Sequence, residues 1–151
     1  MLPRSYTQDI ELIAKDAGLV AADAAWQVDS SAKIIDLGSA TANFSAVAVI
    51  DVDAVEIASN DEFYRLIIQG SSSATFASDI QNLAELTLGA TEARPGGAID
   101  SIIGRHEILF TNWMAGENYR YLRGYTDVGG TIATGINFTA FFARLNGLMP
   151  S

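Results

Sequence analysis

Apolar positions change their spacing near residue 30. Before that point Ile10, Ile13, Ala14, Ala17, Val20, Ala21 and Ala24 recur at close to helical spacing, with Gly18 as the one interruption. The segment predicts either a short helix or an extended arm that orders only on a partner. From Ala32 the pattern is that of strands. Residues 33–37 form a β-rich run stopped by Gly38 and Ser39. Residues 44–55 carry Val47, Val49, Ile50, Val52 and Val55, and residues 63–69 combine aromatic and β-branched side chains before Gly70 and three serines. Ile80, Leu83, Leu86 and Leu88 predict a helical turn followed by a strand. Residues 89–97 then read as a long turn-rich loop, and loops of that length in a compact domain usually carry function or move.

The last third has the most regular pattern. Residues 105–110 predict a strand, and so do residues 119–126, with Tyr119, Tyr121, Arg123 and Tyr125 on one face. Residues 127–130 read as a turn. Ile132, Thr134, Ile136, Phe138, Ala140 and Phe142 then alternate with Ala133, Gly135, Asn137, Thr139 and Phe141. A period of two held over that stretch specifies a strand. With the turn before it, the pattern predicts an antiparallel hairpin near the end of the chain. Six to eight strands result, with no strand–helix–strand alternation. The fold expected is therefore all-β: an antiparallel β-sandwich or jelly roll over residues 31–151, preceded by an N-terminal arm or short helix over residues 1–30.

A chain of 151 residues fits one domain and needs neither disulfide nor metal to hold its core. It contains no cysteine, which excludes thiolate catalysis and zinc–thiolate sites. Acidic residues outnumber basic ones 18 to 9, a net charge of −9 that repels nucleic acid. Residues 1–62 hold 11 acidic and 3 basic residues, residues 63–151 hold 7 and 6, so the charge sits mainly in the first part. No secretory signal pattern and no run of membrane-spanning length is visible, and no membrane association is expected.

Catalytic candidates are few. His106 is the single histidine and lies inside a predicted strand, which favours a structural or surface role. Asp51, Asp53 and Glu56 lack the ligand spacing and glycine of a calcium loop and read as solvated carboxylates. No phosphate-binding glycine loop or nucleophile elbow occurs, so no catalytic, cofactor-binding or metal residue is expected. Interface candidates are better represented. Aromatic and arginine side chains are enriched at interface cores, which singles out Trp26, Trp113, Arg94 and Arg105. Pro95 and the surrounding glycines mark the 89–105 loop as a contact element.

Three stretches together resemble the capsid cement (decoration) proteins of tailed phages, in particular a podophage-type family with a jelly-roll fold. They are Ile34-Ile35-Asp36-Leu37-Gly38, then Leu86-Thr87-Leu88-Gly89-Ala90, then Tyr119-Arg120-Tyr121-Leu122-Arg123 running through Gly129-Gly130-Thr131 to Phe138. Their order and spacing cover most of the chain from about residue 30. The resemblance implies a non-catalytic structural protein on the outer surface of the virion capsid. It would bind the major capsid protein and pair with itself, as a homodimer rather than a trimer. On that reading the 89–105 loop and the N-terminal arm grip the shell, with Arg94 as an ion-pairing residue and Trp113 as an anchor. The alternative is a carbohydrate- or receptor-binding sandwich using Trp113 and the tyrosine face.

Overall fold

The computed structural model describes residues 9–97 and 99–145. Eight strands build it. β1 is broken into Ile13–Lys15 and Leu19–Val20, and β2 into Ala24–Ala25 and Ile35–Asp36. The others are continuous: β3 (Ser45–Val55), β4 (Phe63–Ser71), β5 (Ile80–Gly89), β6 (Gly104–Thr111), β7 (Tyr121–Gly129) and β8 (Ile136–Arg144). One sheet has the order β1-β8-β3-β6 and the other β2-β7-β4-β5, antiparallel throughout. The chain is thus an all-β antiparallel sandwich. Two small hairpins, Gln27–Val28 with Ser31–Ala32 and Trp113–Met114 with Glu117–Asn118, stand outside the two sheets.

Alternation decides which side chains are buried. Ala46, Ala48, Ile50 and Val52 of β3 and Ile136, Phe138, Ala140 and Phe142 of β8 meet Tyr64, Leu66 and Ile68 of β4 and Leu122 of β7 in one cluster. Phe110 and Phe142 pack edge to face with centroids 4.9 Å apart.

Three expectations need correction. First, where an arm or short helix was expected over residues 1–30, residues 13–25 supply edge strands to both sheets. Among the described residues, the only helix there is the 3-10 turn Ile10–Leu12, where Asp9 caps the amide of Glu11. Near-helical spacing arose because β1 shifts register between Ile13 and Lys15 and then breaks, so its apolar residues lose the period of two. Residues 1–8 lie outside the described residues. Second, β7 and β8 are not a hairpin. β7 pairs with β2 and β4, β8 with β1 and β3, and the chain crosses between the sheets over residues 130–135. Third, the turn expected near Ile80 is strand. A bulge sets Ile68 opposite Ala84 and Gln69 opposite Asn82, leaving Leu83 as an extra residue. That insertion gives Ile80, Leu83 and Leu86 their spacing of three.

The crossing at 130–135 is held by carboxylates. Glu56 accepts from the amides of Ala133, Thr134 and Gly135 at 2.7–3.0 Å and from the Thr134 hydroxyl. Asp61 takes the amide and hydroxyl of Thr131 at 2.9 and 2.8 Å. The Gly135 and Thr134 amides hold the Glu56 carboxyl below its usual range, and the Thr131 amide and hydroxyl do the same for Asp61. Folding therefore favours their ionised forms. Their contribution is present above the ordinary carboxylate range and is lost as pH falls through the lowered values. Glu56→Gln is expected to lower stability at neutral pH and to make the decline below about pH 4.5 shallower. Urea denaturation across the acid range measures both; an unchanged acid slope would mean that Glu56 does not organise the crossing.

Candidate partner-binding surface

The connection between β5 and β6 is a closed loop. Gly89, at φ +133°, starts it, and a Cβ there would lie 2.3 Å from the Glu62 carbonyl oxygen, so the position requires glycine. Its base is stapled: the Ser101 amide donates to the Gly89 carbonyl and the Gly89 amide to the Ser101 hydroxyl, both at 2.9 Å. Within it, the Arg94 amide reaches the Ala90 carbonyl at 3.1 Å and the Thr91 amide reaches Asp100 Oδ1 at 2.8 Å. The loop is therefore built, and what it displays is set by its backbone.

It displays three isoleucines. Ile99 and Ile102 are each 72% exposed and Ile103 is 63% exposed. All three line one groove of about 490 Å³ with Leu86 and Leu88 of β5. Burying an isoleucine side chain contributes roughly 1.5–3 kcal/mol, and monomeric surfaces seldom leave clustered apolar side chains uncovered. Beyond the groove, Leu109 on β6 is 65% exposed and Trp113 is 57% exposed.

The residues singled out from sequence are distributed differently. Pro95 is exposed on the loop and Trp113 projects from the small hairpin after β6. Arg105 is exposed and grips Asp51 of β3 through two bonds of 2.7 and 2.9 Å. Arg94 is half-buried, and its guanidinium donates to the Ile99 carbonyl. It shapes the loop and is not held out as an ion-pairing arm. Trp26 is corrected outright: at 1% exposure it is core, packed against Phe138, and cannot meet a partner. The isoleucines were passed over in the sequence. Their signal was three large apolar residues among five positions, after a glycine- and proline-rich turn and before any strand period.

His106 lies at the same groove with Nε2 buried and unpartnered, and burial pushes its imidazole below the usual range. It is neutral near pH 7. Among the described residues no group of three or more histidine or carboxylate side chains is placed to hold a metal ion. The tyrosine row of β7 is occupied from within. Arg123 lies 4.4 Å from the Phe76 ring centre and 5.2 Å from that of Tyr125, and Arg120 lies 5.2 Å from that of Tyr121. Tyr119 is buried and is not part of that row. No family model matches the chain, and no curated protein matches it.

Proposed function

We propose that this protein is a cement (decoration) protein that binds the major capsid protein on the outer surface of an assembled phage capsid and performs no catalysis. The observation that carries the reading is the stapled loop presenting Ile99, Ile102 and Ile103 to solvent. A rigid sandwich with a fixed apolar loop can bridge neighbouring subunits of a shell. Because it binds the assembled state and not separated subunits, it stabilises assembly by mass action. The strand order 1-8-3-6 facing 2-7-4-5 supports the jelly-roll form of the sandwich. The engaged rings of β7 give the carbohydrate-binding alternative less support, since sugar stacking needs an open ring face.

The test is occupancy on purified capsids. Replacing both Ile99 and Ile102 by serine removes apolar contact at positions that the free fold leaves in water. The expected result is an unchanged circular dichroism spectrum and at least about a tenfold loss of affinity, the equivalent of about 1.4 kcal/mol. Unaltered occupancy would remove the loop from the binding face.

A further inference from the structure

The loop between β5 and β6 has an outgoing limb and a return limb, and hydrogen bonds join them. The Ser101 amide donates to the Gly89 carbonyl at 2.9 Å and the Thr91 amide to Asp100 Oδ1 at 2.8 Å. The return limb carries Ile99, Ile102 and Ile103 and enters β6 through Gly104, at φ +147°. His106 is the third residue of that strand. It shares a face with Ile108 and Phe110, which pack on the core, and it lines the groove with the three isoleucines. Its Nε2 is buried and has no hydrogen-bond partner.

A neutral imidazole has one N–H to satisfy, and a charged one has two. The charged groups packed around the ring supply no acceptor for the second. From the loop, Asp100 lines the groove, but its Oδ1 is taken by Thr91 and it makes no bond to Nε2; Arg94 is a cation. From β3, Asp51 holds Arg105 through both oxygens, and the residue opposite His106 is the buried Ile50. From β5, Leu86, Thr87 and Leu88 bring no charge to the groove, and Glu85 is paired with Arg65. Along β6 itself, alternation turns Arg105 and Glu107 to the other face. A second proton on the closed ring is therefore buried without an acceptor, which is costly.

We infer that His106 is an acid-sensitive latch: its protonation lifts the return limb from the groove, breaks the two bonds between the limbs and dismantles the display of Ile99, Ile102 and Ile103. Lifting the limb gives the ring water. The open state then takes the proton at the ordinary value of 6.5, and the closed state only at lower pH, because burial holds its ring below that value. Above 6.5 neither state is protonated and the loop stays closed; the closed form loses stability as pH falls through 6.5. That the display is a binding face rests on the proposed function. The latch does not, and it is read on the free chain without capsids.

The test is amide hydrogen exchange of the full chain at pH 7.5 and pH 5.5, expressed as protection factors to remove the intrinsic pH dependence. The Ser101 and Thr91 amides should be less protected at both pH values than the Trp26 amide, which is bonded to the Gly124 carbonyl. Their protection should fall by up to about tenfold at the lower pH, the ceiling for one proton taken up one unit below 6.5. His106→Gln and His106→Phe, neither of which titrates, should abolish the fall. His106 is the single histidine, so its ring-proton resonance reports the titration directly, with a midpoint expected below 6.5. A midpoint at or above 6.5, a wild-type fall of less than about twofold, an equal fall in both variants, or loop amides as protected as that of Trp26 would overturn the assignment.

Discussion

Trp26→Ala is expected to lower the unfolding free energy by about 3–5 kcal/mol, the range for removing a large buried aromatic side chain. Trp26 is 1% exposed and spans the space between the sheets. Its ring meets Phe138 of β8 edge to face at 5.2 Å, and its indole N–H donates to the Thr126 hydroxyl of β7 at 2.9 Å. Truncation leaves a cavity and strands a buried hydroxyl together. Gly124 of β7 makes room for the ring, since a Cβ there would lie 2.0 Å from it. Gly124→Ala should therefore damage the same contact from the other side. A domain of this size has total stability of about 5–15 kcal/mol, so the loss is a large fraction. Urea denaturation reads it directly, and a change under about 1 kcal/mol would show that the core closes over the gap.

Lys15→Met should cost about 2–3 kcal/mol, because one buried carbonyl loses its only charged partner. Lys15 lies where β1 breaks. Ile13 and Lys15 pair with Phe141 and Ala140, and pairing resumes only with Leu19 opposite Asn137. The ammonium fills the gap, donating to the carbonyls of Asp16, Gly18 and Phe138 at 2.9–3.0 Å and lying 4.4 Å from the Phe138 ring centre. Burial pushes its pKa down to about 8, so it is still charged at neutral pH. Water can reach the first two carbonyls once the lysine is gone. The Phe138 carbonyl is buried and dominates the cost. Methionine keeps the apolar stem, so the effect isolates the donor. Hydrogen exchange at β1 and β8 should rise with the loss of stability. Unchanged exchange would mean that the break needs no cap.

The sequence by itself determined the class of fold. A period of two in β8 and in β7 reflects the pleat of a strand with one face in a core, and no tertiary information is needed to see it. It also marked the 89–105 connection as the element to watch, because glycines and proline in that density punctuate a chain whatever surrounds them. Partnership between strands was another matter. β7 and β8 looked like a hairpin because a turn joins them, yet pairing is a long-range choice, and each strand found better neighbours across the sandwich. Periods broken by a bulge or a gap, as in β5 and β1, imitated helical spacing, and only the ladder opposite them shows the extra residue. Trp26 was read as a surface anchor, because a tryptophan's burial depends on what folds over it. Ile99, Ile102 and Ile103 were passed over, because an isoleucine in a loop reveals its exposure only when the rest of the chain is seen to leave it uncovered. The tertiary structure alone decided which strands lie side by side, since pairing joins segments far apart in the chain and no local pattern records that.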